Sequence, residues 1–311
     1  MTPLNKKLEK ILVTTKWTRD ELAHRLSVPY RTLYTWVNGK ATPRAKNAER
    51  IDNLYNDVVG RTRLDPSLLT DKIKRALEKH ITVKELITDN ELLDKVTLHL
   101  TYHTNTIEGS AMTLAEVKEA LNDSSQVLVK KTAKEQTEAR NHRAALYYLL
   151  DELNDKGKDF VWTQDIILNT HLRLMNTLIT NAGIYRTHGV RITGSYLPLA
   201  DYQAVPERMR ELVEHINVPT SAPIEHMAQT HATFEQIHPF SDGNGRIGRL
   251  VMCIQALQQE LVPPVINEER RKAYYKYLEL AQLEGKYSLL AMFIAESIIF
   301  TDRLISDKDA E

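Results

Sequence analysis

Cysteine is almost absent from the chain: Cys253 stands alone among 311 residues. A single thiol excludes an internal disulfide framework and fits a reducing compartment. Glycine and proline are scarce too, eleven of each, together about 7% of the chain against a usual ~12%. That disfavours disordered, collagen-like and turn-studded β-barrel architectures. No apolar run approaches the ~18 residues of a membrane span, and the best candidate, Tyr287 to Phe300, is broken by Glu296. The opening MTPLNKKLEK lacks the apolar stretch of a signal peptide. The expectation is a cytoplasmic protein with no membrane partner.

What is present suits a helical globule. Hydrophobic residues make up 42% and charged residues 26%, enough for a sizeable core and a wet surface. The length suggests about two domains. Net charge is zero, with 41 basic and 41 acidic side chains, but they are unevenly placed. Residues 1–57 hold 11 Lys and Arg against 6 Asp and Glu; the remainder holds 30 against 35. A small basic module precedes a larger acidic one. A basic terminus fits nucleic acid, and it also fits an ordinary solvated surface.

Within the basic module, Leu8, Ile11 and Leu12 follow helical spacing. Thr18 and Glu21 form a capping box that opens a helix through Leu26. After the Ser27-Val28-Pro29 turn, a second helix is expected from Tyr30 to Val37, ended by Asn38-Gly39 and Pro43. A further helix, Ala45 to Asp57, closes the unit. Two short helices joined by a tight turn make a helix-turn-helix. The stretch from Thr18 to Pro43 resembles the Cro/repressor-like family, with Trp36, Gly39 and Pro43 at familiar places. That resemblance implies DNA contact led by Tyr30, Arg31, Thr32 and Thr35 in a major groove. Such modules also serve dimerisation or protein docking, and the residues leave both open.

Arg61 to Ser67 reads as a linker, and nearly everything beyond it as helix. Expected helices run from Leu92 to Ile107, from a second capping box at Thr113 and Glu116 to Leu121, from Glu135 to Leu153 and from Gln164 to Thr177. The exception is Val190 to Pro198, β-rich and glycine-bearing, which reads as a small hairpin. Such a hairpin gains from pairing with an extended segment of another protein.

The most informative stretch is His238-Pro239-Phe240-Ser241-Asp242-Gly243-Asn244-Gly245-Arg246-Ile247-Gly248-Arg249. Helical patterns on either side, Pro223 to Gln236 and Ile247 to Gln259, make it a tight helix–loop–helix junction. Glycines and exposed amides at a helix N-terminus form an anion site. Arg246 and Arg249, three apart, reach the same polyanion. Asp242 offers a hard oxygen to a magnesium ion bridging phosphates. His238 is the one side chain here that takes a proton near neutral pH. No HExxH-type spacing points to a zinc enzyme.

Position for position, this stretch resembles the HPFx(D/E)GN(G/K)R signature of the Fic family, followed by its second arginine. The resemblance extends from about residue 90 to 300 and includes Gly183 to Arg186 and the paired tyrosines Tyr274 and Tyr275. It implies transfer of AMP from ATP to a Tyr, Thr or Ser hydroxyl of a target protein. On that reading His238 deprotonates the hydroxyl and Asp242 holds Mg2+. Gly243, Asn244 and Gly245 bind the α and β oxygens, Arg246 and Arg249 the β- and γ-phosphates. Tyr275 lines the nucleoside pocket, and the hairpin, Ile192, Thr193, Gly194 and Ser195, is the target-binding flap.

Thr104-Asn105-Thr106-Ile107-Glu108-Gly109 fits the family's inhibitory pattern, (S/T)xxxE(G/N). A carboxylate at a helix C-terminus is disfavoured by the dipole unless a cation meets it, and Arg249 is the natural partner. Paired in this way, Arg249 is withheld from the γ-phosphate. In some relatives the same glutamate also serves removal of AMP. The expectation is therefore a mostly α chain: a helix-turn-helix domain over 1–60, a linker and connecting helix over 61–90, and a Fic-type helical bundle with a small β-hairpin flap over 91–311. The activity expected is adenylyl transfer checked by Glu108, with ATP, Mg2+, an unidentified target protein, DNA and a second copy as partners. The alternative is a nucleotide-sensing, DNA-binding transcription regulator.

Overall fold

The computed structural model describes residues 3–61, 63–122, 132–192 and 197–306, and they divide into two compact units. The first is Met1–Asp65 with Glu269–Tyr277; the second is Pro66–Glu268 with Leu278–Glu311.

The first unit holds α1 (Leu4–Thr15), α2 (Arg19–Arg25), α3 (Tyr30–Val37) and α4 (Ala45–Val58). Its core is Leu8, Ile11, Leu22, Leu33 and Ile51, all fully buried, with Trp36 and Val58 around them. The capping box forms as expected: Thr18 N–H donates to Glu21 Oε2 at 2.6 Å, and Glu21 N–H donates to Thr18 Oγ1 at 3.2 Å. Between α2 and α3 the chain turns through Ser27 at φ +53°. Gly39 at φ +67° stops α3, where glycine avoids a Cβ clash. The segment Glu269–Tyr277 is tied to this unit by bonds from Arg25 to Glu269, Arg270 Nε to Asp57 O (3.3 Å) and Lys276 Nζ to Gly60 O (3.0 Å).

The second unit contains α5 (Pro66–Leu77), α6 (Val83–Thr88), α7 (Asn90–Ile107), α8 (Leu114–Asn122), α9 (Ala133–Lys156), α10 (Gln164–Leu174), α11 (Val205–Ile216), α12 (Pro223–Ile237), α13 (Asn244–Gln258), residues 278–284 of α14 (Arg271–Glu284) and α15 (Ser288–Ser306). At its centre is α13, buried at every position except Gly245 and Gln258. Its apolar residues pack on several sides at once, and the polar Asn244, Arg246, Arg249 and Gln255 are buried with them. α7, α9, α10 and α12 pack on it, α11 and α15 pack on α12, and α5 packs on α15.

Three expectations need correction. The linker ends at Asp65, because Pro66 begins α5; proline suits a first helical position, where its missing N–H has no partner to lose. α10 stops at Leu174 and not Thr177, whose φ is +62°. α13 starts three residues early, at Asn244, so the motif's own amides form its first turn. The arms of the expected hairpin, 190–192 and 197–198, have no regular structure. Its turn, 193–196, with Thr193, Gly194 and Ser195, lies outside the described residues. Among the described residues the β pairing is one antiparallel bridge, His80 with Leu261.

Candidate active site

His238 caps the C-terminus of α12 in the left-handed conformation, φ +51° and ψ 59°. A non-glycine residue adopts this only when its surroundings enforce it. Here Arg186 does so: its Nε donates to His238 O at 2.8 Å, its Nη2 to Ile237 O at 3.3 Å, and its main-chain N–H to Pro239 O at 2.9 Å. The imidazole Nδ1 lies 3.3 Å from Glu235 O, a carbonyl that only accepts, so Nδ1 carries the proton and Nε2 is left as the base. Burial holds the His238 pKa below the usual imidazole range, helped by the charge of Arg186, so the ring is neutral at neutral pH.

From His238 to Asn244 the loop closes on itself. Phe240 N–H donates to Asn244 Oδ1, and Asn244 Nδ2 donates to Phe240 O, both at 2.9 Å. The Asn244 side chain is thereby occupied, and its main-chain N–H, at the first turn of α13, is what it can offer to a ligand. Gly243 sits at φ +82°, where a Cβ would meet Met175 Sδ at 2.8 Å.

The Asp242 side chain is half exposed. Its Oδ1 accepts from Gly243 N–H at 2.6 Å and faces Arg246 Nη2 at 3.6 Å. Among the described residues no group of three or more His, Cys, Asp or Glu could cage a metal. One hard carboxylate beside an anion site suits a magnesium ion that arrives with phosphates and keeps much of its own shell. The donor set fits that group.

Arg246 is 3% exposed, held by Glu138 Oε1 at 3.3 Å, and its buried Nε has no partner among the described residues. Arg249, 6% exposed, donates through Nε to Thr104 Oγ1 at 2.6 Å and through Nη2 to Glu108 Oε1 at 2.5 Å. Glu108 caps the C-terminus of α7, with Gly109 following at φ +106°. Its carboxylate also lies against Gly245, where a Cβ would stand 2.5 Å from Oε1. A carboxylate therefore occupies the N-terminus of α13, the place that suits a phosphate.

Three residues that sequence reasoning did not single out help build this site, beside Thr104 of the inhibitory pattern. Glu138 holds Arg246 as Thr104 holds Arg249. Glu235 is buried one turn before His238, with Oε2 4.0 Å from Nδ1 of that ring. Burial pushes its carboxyl up to about 8, the Glu108 charge adding and the Arg249 charge opposing. His171, wholly buried, stacks on Phe240 with ring centroids 3.7 Å apart. The acidic or imidazole residue types were visible in the sequence; the separations, up to 145 positions between Thr104 and Arg249, carry no local signal.

The other predicted residues lie elsewhere. Tyr275 falls in Glu269–Tyr277 of the first unit, 39% exposed, with the Arg271 guanidinium 5.6 Å from its ring. Ile192 is partly buried in irregular chain. Tyr30 and Arg31 are exposed on α3, with Thr32 and Thr35 half-buried beside them.

Residues 161–256 match the Fic/DOC family. Over 186 residues the chain is 33% identical to a Caenorhabditis elegans protein named protein adenylyltransferase fic-1, covering 58% of this chain and 36% of that one. The chain thus spans about a third of that relative's length. The solved structure of residues 134–508 of C. elegans Fic-1 superposes with a TM-score of 0.65 at 24% identity, covering 92% of this chain and 83% of that one. A Fic-domain signaling protein from Bacteroides thetaiotaomicron gives 0.62 at 22% identity, covering 79% and 99%. The chain has the mostly helical fold of these Fic proteins.

Proposed function

We propose that the chain is a protein adenylyltransferase, moving AMP from ATP to a hydroxyl of a target protein and held in check by Glu108. The observation that carries the reading is the convergence of a neutral imidazole, a half-exposed carboxylate, the α13 N-terminus and two buried arginines within twelve residues. His238 Nε2 takes the proton of the incoming Tyr, Thr or Ser hydroxyl, whose oxygen bonds to the α-phosphorus as the bond to pyrophosphate breaks. The amides of Gly243, Asn244 and Gly245 receive phosphate oxygens, and Arg246 and Arg249 neutralise the charge of the departing pyrophosphate. Asp242 would hold Mg2+, which supplies charge neutralisation between the phosphates when bound. Such a reaction depends on positioning and electrostatics and needs no protein nucleophile.

In the resting arrangement Glu108 occupies Arg249 and the Gly245 edge of the anion site, so Arg249 is withheld from the terminal phosphate. Full-length protein incubated with Mg2+ and ATP labelled at the α-phosphate tests the reading. Glu108→Gly should label itself or added protein at least ten-fold faster than the native chain, and adding His238→Ala should abolish the label. An unlabelled Glu108→Gly protein that binds ATP would overturn the transferase reading; equal rates with and without Glu108 would overturn the brake.

For the first unit the reading is a helix-turn-helix that contacts DNA. On α3, Tyr30 and Tyr34 are exposed and stacked, with Arg19 and Lys40 each within 6 Å of the Tyr34 ring. Arg31→Ala should weaken binding to a random duplex and flatten its salt dependence by about one phosphate contact. Binding unchanged by salt or by that variant would sink the assignment.

A further inference from the structure

The His171 ring is fully buried on α10 and uses both nitrogens. Gly183 N–H donates to Nδ1 at 2.8 Å. A main-chain amide can only donate, so Nδ1 carries no proton. The neutral ring then has its proton on Nε2, which lies 3.1 Å from Asp242 O and donates to it. One tautomer satisfies both bonds. The ring face meanwhile lies parallel to Phe240, tilted by only 4°. Stacking alone does not require an imidazole, and burying one is costly unless both polar atoms are satisfied.

The two stretches joined by this ring each turn at a glycine of positive φ. Gly183 adopts φ +77° and lies so close to α10 that a Cβ would meet Leu172 Cβ at 2.9 Å. Asp242 immediately precedes Gly243 at φ +82°. Three further bonds run between the same stretches: Asn181 Nδ2 donates to Ser241 Oγ at 2.8 Å, Arg186 Nε to His238 O, and the Arg186 main-chain N–H to Pro239 O at 2.9 Å. The turn 181–186 is therefore fastened to the loop 238–243 at three places, and His171 holds the one nearest the Asp242 carboxylate.

Resting on the adenylyltransferase reading, we propose that His171 is a positioning residue for the metal: by donating to Asp242 O and accepting from Gly183 N–H, it fixes the backbone from which the Asp242 carboxylate projects. The carboxylate is left with side-chain rotation alone to find, and the backbone share of the entropy of ordering it for a divalent cation is already met.

The test uses full-length Glu108→Gly protein and three variants that separate the contacts. His171→Phe keeps the stacking and loses both bonds. His171→Gln keeps a donor near the Nε2 position, and His171→Asn keeps an acceptor near the Nδ1 position. Mn2+ binding in the presence of a non-hydrolysable ATP analogue, followed by electron paramagnetic resonance, reads metal affinity without turnover. The Mg2+ dependence of transfer gives a second readout. His171→Phe should weaken metal binding about ten-fold, with transfer recovering to within a few-fold at saturating Mg2+. His171→Gln should regain most of the affinity, and His171→Asn should not.

Nitrogen-15 spectra of the unsubstituted imidazole should show a protonated Nε2 and a bare Nδ1, a readout that survives if a variant fails to fold. Unchanged Mn2+ affinity in His171→Phe, a Gln variant as weak as Phe, or the opposite tautomer would each overturn the proposal. A parent that binds Mn2+ and nucleotide but transfers nothing would overturn the transferase reading instead, and the resonance measurement would still report on His171.

Discussion

Glu108 Oε1 receives Arg249 Nη2 at 2.5 Å while lying close against the Cα of Gly245. One carboxylate thus sits at the unfavourable end of α7 and the favourable end of α13 together, and Arg249 compensates the first. The arginine is 6% exposed on its side chain and the glutamate 35%, so the cation is fixed and the anion is the part that can leave. On the proposed function, a triphosphate, carrying more charge and more acceptor oxygens, competes for the same place.

Thr104 shares the work of holding Arg249, through a 2.6 Å bond from Nε. Thr104→Ala leaves Glu108 in place but loosens the arginine from α7. Initial rates with labelled ATP should rise a few-fold over the native chain and stay below those of Glu108→Gly.

Gly248 lies mid-helix, where glycine costs backbone entropy, but a larger residue would crowd its buried neighbours. A Cβ there would stand 2.5 Å from Glu235 Oε1 and 3.0 Å from the His231 ring. Gly248→Ala should destabilise the fold by ~1–3 kcal/mol through overpacking, read as a lower midpoint in denaturant.

Glu235 gives stability a pH dependence of known sign. Its carboxyl is raised from 4.5 to about 8 by burial, and Oε1 has no partner among the described residues. The native state holds this proton after the unfolded chain has released it. The contribution is complete below pH 4.5 and is lost as pH rises through about 8. Glu235→Gln cannot ionise, so its stability relative to the native chain should improve by a few kcal/mol between pH 5 and pH 8.5, measured by denaturant titration.

Two buried histidines act in the opposite direction. Burial first, and then the charge of the nearby arginines, lowers His142 and His231 from 6.5 to about 3. Unfolded imidazoles take up protons that these cannot, so the contribution is full above pH 6.5 and is lost as pH falls towards 3. Stability should fall between pH 6 and pH 3 with a slope approaching ~1.4 kcal/mol per pH unit for each histidine. His142→Gln should remove one such increment.

The helices with local signals were legible in advance. Thr18 and Glu21 announce α2 because a capping box is a contact three residues long, and Gly39 and Gly109 announce stops because only glycine is comfortable at those φ values. The loop from His238 to Arg249 was legible for the same reason, its polar and ionisable groups lying within twelve consecutive positions. The Glu108–Arg249 pair was legible through the resemblance to the family's inhibitory pattern, which marks the glutamate, and through the cation that a carboxylate at a helix end demands.

Other features were settled by packing. Nothing near Gly183 or Asp242 in the chain says that His171 will bond both, nor that Glu138, more than a hundred positions away, will hold Arg246. Glu235 reads as an ordinary helical acid until burial takes its solvent away. The grouping of Glu269–Tyr277 with the N-terminal helices is likewise invisible along the chain. Turn, cap and motif chemistry acts between neighbours and is written in order; burial, tautomer and ion-pair choice depend on which distant surfaces meet, and only the folded chain brings those surfaces together.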